Sequence, residues 1–125
     1  MKIIITGGMG FVGSNLIRKL AVDRNEIVVV DNFSSNVQND VEGIRLIKVD
    51  LADQRRLDDV NIESADVLIH LAGPSSGPAS AKDPEGTIDI SNRITFNVLR
   101  FSKKISIKRI VFASSMSVYG DPFEL

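Results

Sequence analysis

Short apolar runs alternate along this 125-residue chain with stretches whose apolar residues recur every three to four positions. Lys2 to Thr6 is a β-branched run and predicts a first strand. From about Phe11 to Val22, the residues Val12, Leu16 and Leu20 fall at i, i+4 and i+8, the stripe of an amphipathic helix. Glu26 to Asp31 is an apolar run closing on an acid, the pattern of a buried parallel strand. Ser34 to Glu42 carries Asn36, Gln38, Asn39 and Asp40 and reads as loop or a short, poor helix. Arg45 to Val49 predicts a third strand, Asp53 a cap for a short helix through about Asp59, and Asp66 to Leu71 a fourth strand. Small residues over 72–80 predict a loop. Asp83-Pro84 then opens a long helix with Ile90, Ile94, Val98, Phe101 and Ile105 as its stripe, and Arg109 to Ala113 is a fifth strand. Five strands joined by helical crossovers imply an α/β fold, a doubly wound parallel sheet in the order 3-2-1-4-5.

In such sheets, ligands bind beyond the carboxyl ends of the strands. The turn there after the first strand is rich in glycine: Thr6-Gly7-Gly8-Met9-Gly10-Phe11-Val12-Gly13. Gly7 permits a tight turn, Gly10 lets a pyrophosphate approach the main chain, and Gly13 lets the helix pack closely. The helix N-terminus adds unpaired N–H groups and a positive dipole end. The first gap of this G-x-x-G-x-x-G pattern is one residue longer than in the usual dinucleotide fingerprint. Asp31 ends the second strand about 20 residues further on, where an acid accepts hydrogen bonds from an adenosine ribose. No Arg or Lys follows until Arg45, so a 2′-phosphate would meet a carboxylate and no sequence-local cation. These residues favour NAD over NADP. Taken alone, Asp31 is equally a solvated loop carboxylate.

Composition narrows the partners. Fifteen basic residues against 16 acidic ones, without a basic cluster, argue against nucleic acid or an anionic membrane surface. There is no cysteine and one histidine, which leaves no disulfide or thiolate chemistry and no expected metal site. No apolar run approaches the roughly 20 residues of a membrane span. The chain enters a strand at once, which leaves no room for a signal peptide, and a cytoplasmic location is expected. With 43% hydrophobic residues, one compact domain is expected.

The glycine turn through Ser14 resembles the cofactor turn of the extended short-chain dehydrogenase/reductase family. Val30-Asp31-Asn32-Phe33-Ser34 is similar to its ribose-binding strand end, and Asp50-Leu51 to the acid-apolar pair that flanks the adenine. His70-Leu71-Ala72-Gly73 is similar to its H-L-A-A strand end. Ser114-Ser115-Met116-Ser117-Val118-Tyr119-Gly120 resembles the S-S-x-x-V-Y-G segment of the NAD-dependent epimerase/dehydratase branch, whose UDP-glucose 4-epimerase-like members act on nucleotide sugars. The motifs stand in order from residue 3 to residue 121.

The resemblance implies a Rossmann-type fold, NAD as cofactor, and a nucleotide sugar, with a UDP-sugar favoured, as substrate. It implies that Gly7, Gly10 and Gly13, with the backbone of Phe11 and Val12, cradle the pyrophosphate. Asp31, with Asn32 beside it, would hold the ribose, and Asp50 and Leu51 would border the adenine. Leu71, Ala72 and Gly73 would run toward the nicotinamide ribose, and Ser115 would hydrogen-bond the substrate hydroxyl or ketone.

Two departures stand out. Where the family's crossover helix often carries N-V-x-G-T, this chain has Ser91-Asn92-Arg93-Ile94-Thr95, with Ser91 at the Asn position and Ile94 at the Gly position. The family's Y-x-x-x-K pair, its proton-transfer device, has no counterpart either: the one Tyr is Tyr119, Phe123 follows it at i+4, and the last Lys is Lys108. Asp121 to Leu125 resembles the start of the next family segment. The expectation is therefore residues 1–125 as the NAD-binding N-terminal part, without the substrate domain, inactive by itself. A non-catalytic dinucleotide-binding or interaction module is the competing expectation. His70, ending a buried strand, reads as a structural imidazole. The apolar fifth strand, left as an edge, predicts self-association through itself or through the long helix.

Overall fold

The computed structural model describes residues 1–34 and 42–120. Its elements in chain order are β1 (Lys2–Thr6), α1 (Phe11–Val22), β2 (Glu26–Asp31), β3 (Arg45–Lys48), α2 (Gln54–Asp58), β4 (Val67–His70), α3 (Gly77–Lys82), α4 (Pro84–Lys104) and β5 (Arg109–Phe112), followed by a 3-10 turn at Met116–Tyr119. The strands form one parallel sheet in the order β3-β2-β1-β4-β5, as the alternation of patterns predicts. Most of the polar connection after Ser34, and the segment from Asp121 to Leu125, lie outside the described residues.

β1 and β2 sit at the centre and read as almost continuous apolar runs because both of their faces are covered. Successive side chains point to opposite faces. Ile3, Ile5, Ile27 and Val29 pack with Met9 and Ile17 on the α1 side. Ile4, Val28, Val30 and Leu68 pack with Leu57, Val98, Phe101 and Ile105 on the α2/α4 side. The sheet is thus covered by helices on both faces and doubly wound.

The capping residues act as expected. Asp53 accepts the N–H groups of Arg55 and Arg56 at 3.1 and 3.2 Å, and Asp83 accepts that of Gly86 at 3.0 Å ahead of Pro84. Two expectations need correction. The stretch 72–80 is not all loop: Ser76 accepts the N–H of Ala79 at 3.3 Å and starts α3, with proline in its first turn. In α1 the buried positions are Gly13, Ser14 and Ile17, while Val12 is exposed. Leu16 and Leu20 of the stripe do pack against the core, but Val12 does not, because Gly13 beside it faces the glycine turn. That contact lets the backbone come closer than any stripe of larger side chains would.

One buried pair titrates. Thr6 Oγ1, at the end of β1, shares a hydrogen bond of 2.6 Å with Nδ1 of His70, at the end of β4. Both are buried, and the Phe112 ring lies 5.4 Å from the imidazole. Burial disfavours the imidazolium and lowers the pKa of His70 below its ordinary 6.5. The unfolded chain therefore takes up this proton first. The stabilising effect of a neutral His70 is complete above pH 6.5 and is lost as the pH falls below it. Urea unfolding of the native chain and of His70→Asn between pH 7.5 and 5.5 should differ in slope. The native chain loses additional stability toward acid, no faster than about 1.4 kcal/mol per pH unit, the limit for one proton. Parallel profiles would contradict this.

Candidate functional site

At the carboxyl end of the sheet, β1 runs straight into the glycine turn. Gly7 has φ +72°, a left-handed conformation that suits glycine, and a Cβ there would lie 2.6 Å from the Ala72 nitrogen at the end of β4. A Cβ on Gly13 would lie 2.5 Å from Gly8 Cα. Gly10 differs from both, since a Cβ there would meet the Gly7 carbonyl at 3.4 Å and otherwise open space. Gly7 and Gly13 thus bring backbones together, whereas Gly10 keeps a surface clear. Gly10 is also the N-cap of α1. It offers no side-chain cap, and no acidic residue occupies the first turn. The N–H groups of that turn have no intrahelical partners and, with the helix dipole, favour an anion.

Asp31, 6% exposed, stands beside this turn. Its Oδ2 accepts the Met9 N–H at 2.9 Å and its Oδ1 the Phe33 N–H at 2.7 Å. Each oxygen keeps further acceptor capacity. The expected ribose acid is therefore also a structural link between the glycine turn and the end of β2, a role that the sequence pattern does not reveal. Phe33 takes a left-handed conformation, at φ +59°.

The turn and the ends of the strands border a cleft of about 540 Å³, within the ~300–1,000 Å³ common for small-molecule sites. Gly7, Gly10, Phe11, Val12, Gly13, Asp31, Asn32, Asp50, Leu51, Leu71, Ala72 and Gly73 all line it. All the residues expected to hold a dinucleotide thus meet in one cleft. Ser115 is not among the lining residues. It is exposed just beyond β5, at the same end of the sheet, and its carbonyl accepts the Val118 N–H at 3.3 Å. Ser34, from the ribose-binding strand end, and Ile94, at the family's Gly position, also line the cleft, together with Pro74, Ser75 and Ile90, which the sequence did not single out. Ile90 and Ile94 belong to the α4 stripe, whose first half turns out to face the cleft and whose second half faces the core. Among the described residues, no group of His, Cys, Asp and Glu could hold a metal ion, and no helix is long and apolar enough to cross a membrane.

A parallel sheet with a glycine turn, an uncapped helix N-terminus and an acid at the end of β2 is a dinucleotide-binding architecture. The model of the NAD dependent epimerase/dehydratase family matches residues 3–125, and the chain belongs to that family. UDP-glucuronic acid decarboxylase 1 of Danio rerio is 38% identical over 122 residues, covering 97% of this chain and 29% of that protein. Among solved structures, a UDP-galactose 4-epimerase superposes with a TM-score of 0.83 at 34% identity, covering 98% of this chain and 41% of its own. A UDP-glucose-4-epimerase from Stenotrophomonas maltophila, solved with bound NAD and formylated UDP-arabinopyranose, gives 0.85 at 25% identity over 97% of this chain and 39% of its own. The chain thus spans well under half the length of these relatives.

The two kinds of glycine separate experimentally. Gly10→Val points a branched side chain into the open cleft, so the fold persists and dinucleotide affinity falls at least tenfold. Gly13→Val forces α1 off the turn, lowering stability by a few kcal/mol, the scale of overpacking at about 1–3 kcal/mol or more. Calorimetric titration and urea unfolding read the two effects, and an unchanged affinity in folded Gly10→Val would remove the turn from the site.

Proposed function

We propose that residues 1–125 are the NAD-binding part of an NAD-dependent nucleotide-sugar epimerase or dehydratase. The observation that carries this reading is the convergence of Gly7, Gly10 to Gly13, Asp31–Asn32, Asp50–Leu51 and Leu71–Gly73 on one cleft. The family membership and the NAD and UDP-sugar named for the Stenotrophomonas structure support it. The residues fit the cofactor: the uncapped first turn of α1 would receive the pyrophosphate, beside a Gly10 that leaves room for it. Asp31 would accept ribose hydroxyls with its remaining acceptor capacity, and the exposed Asp50 carboxylate would face the exocyclic amine of the adenine. NAD supplies, when bound, the acceptor and donor of a hydride. The chain's own contribution is orientation. Ser115 would hydrogen-bond the sugar oxygen at the carbon being oxidised or reduced.

Proton transfer is the part this sequence does not provide. Tyr119 has no Lys at i+4, and it is 80% exposed. General acid–base assistance is typically worth ~10²–10⁴ in rate, and orientation of the substrate more still. We therefore expect the chain by itself to bind NAD and to turn over no UDP-sugar. The exposed faces of β5 (Ile110, Val111 and Phe112) and the outer side of α4 would also promote self-association. An epimerisation and decarboxylation assay of the mass-verified chain, followed by sedimentation of the same sample, tests both expectations. Turnover above background would overturn the first, and a monomer at high concentration the second.

Cofactor choice gives the most direct test of the binding reading. NAD should bind more tightly than NADP, since the 2′-phosphate would meet the Asp31 carboxylate. Asp31→Asn removes the charge but sets an NH2 against one of the two N–H donors that Asp31 accepts, so the ratio of the two affinities, and not either affinity alone, reads the charge. The substitution should narrow the gap about tenfold, in line with Coulomb repulsion at short range near a protein surface. Calorimetry with both dinucleotides decides the matter, and equal or tighter NADP binding by the native chain would sink the claim.

A further inference from the structure

The polar side chains of α4 fall into two kinds. Its hydroxyls stay within the helix: Ser91 Oγ donates to the Thr87 carbonyl at 2.7 Å, Thr95 Oγ1 to that of Ser91 at 2.8 Å, and Ser102 Oγ to that of Leu99 at 2.8 Å. Asn97 does otherwise. It is 7% exposed, and its Nδ2 donates to the carbonyl of Leu51 at 2.8 Å, 46 positions away in the chain. Leu51 is itself buried and, with Asp50, forms the cleft wall beyond β3. The same loop is bound internally, through the Ala52 N–H on Asp50 Oδ1 at 2.9 Å and the Asp53 N–H on the Asp50 carbonyl at 2.9 Å. The turn from Asp50 to Asp53 is thus closed by its own hydrogen bonds, and Asn97 ties it to α4 through the Leu51 carbonyl. Ile94 and Ile90, about one and two turns earlier on α4, line the cleft. One helix thus supplies an apolar wall and the tether of a polar wall.

We propose that Asn97 is a positioning residue for the adenine end of the dinucleotide site. It does not line the cleft. It sets where the Asp50–Leu51 loop stands against α4, and hence where the Asp50 carboxylate meets the edge of the base. This rests on the dinucleotide reading above. A carboxylate selects a base bearing an exocyclic amine over one bearing a carbonyl at the same place, because it can only accept hydrogen bonds. Selection by Asp50 thus depends on Asn97. Replacing Asn97 leaves a buried carbonyl without its donor, and the loop shifts to satisfy it.

The test titrates the purified chain with NAD and with nicotinamide hypoxanthine dinucleotide, which differs only in the base. The native chain should favour NAD about tenfold or more, the scale of a hydrogen bond to a charged group. In Asn97→Leu, similar in size but without a donor, the ratio should collapse to within about threefold while circular dichroism and cooperative unfolding persist. Asn97→Ser should behave alike, because a hydroxyl there would turn back to the Arg93 carbonyl as its neighbours on α4 do. A purely structural role would weaken both ligands in parallel and leave the ratio intact, and that result overturns the proposal. So does a native chain that binds NAD without discriminating the base. A native chain that binds neither ligand overturns the dinucleotide reading itself. Should both variants unfold, the native chain decides: the Asn97 side-chain amide resonance should shift on adding AMP and stay in place with nicotinamide mononucleotide. An unmoved resonance with AMP refutes the tether.

Discussion

At the end of β1, three stretches of backbone touch with no side chain between them. Gly13 brings α1 onto Gly7 and Gly8, and Gly7 brings the turn onto Leu71 and Ala72 at the end of β4. Side chains elsewhere hold a helix away from the sheet that it covers. Here their absence lets the helix N-terminus come up to the carboxyl end of the sheet and open onto the cleft. The burial of Gly13 at the start of α1 follows from the same contact. So does the exposure of Val12, which lies on the cleft side of the contact.

Two buried polar side chains hold the walls around that point. Asp31 takes an N–H from the glycine turn and another from the loop after β2. Asn97 gives one of its own to the loop after β3. Both bonds join segments distant in the chain, and both are buried, where an unmade hydrogen bond is costly. They make the cleft a property of the packed domain and fix the relation of its loops before any ligand arrives. Beneath them, the Thr6–His70 pair ties the ends of β1 and β4 together.

The opposite margin is built differently. Among the described residues β5 pairs with β4 alone, and its apolar residues Ile110, Val111 and Phe112 are between 40% and 56% exposed. Ile88, Phe96 and Leu99 are exposed on the outer side of α4. The other edge strand, β3, carries Arg45 and Lys48, charges of the kind that discourage edge pairing. The sheet is thus guarded at β3 and apolar at β5.

The sequence by itself determined the strand order, the glycine turn, the caps at Asp53 and Asp83, and twelve of the residues that meet in the cleft. Each of these rests on local rules: side-chain period, capping chemistry, and an acid ending an apolar strand. What only the tertiary structure decided are the relations across the sheet. Asp31 reads in sequence as a ligand acid, and packing made it a link to Met9 as well. Asn97 was legible only as a polar residue three positions after Ile94, on the side of a helix that faces inward. Its partner, Leu51, could not be named because 46 residues separate them. Ile90 and Ile94 followed the core period, yet the cleft reaches under the start of α4 and takes them as its wall. Local periodicity tells which face of an element is apolar. What that face meets is decided by how the elements pack.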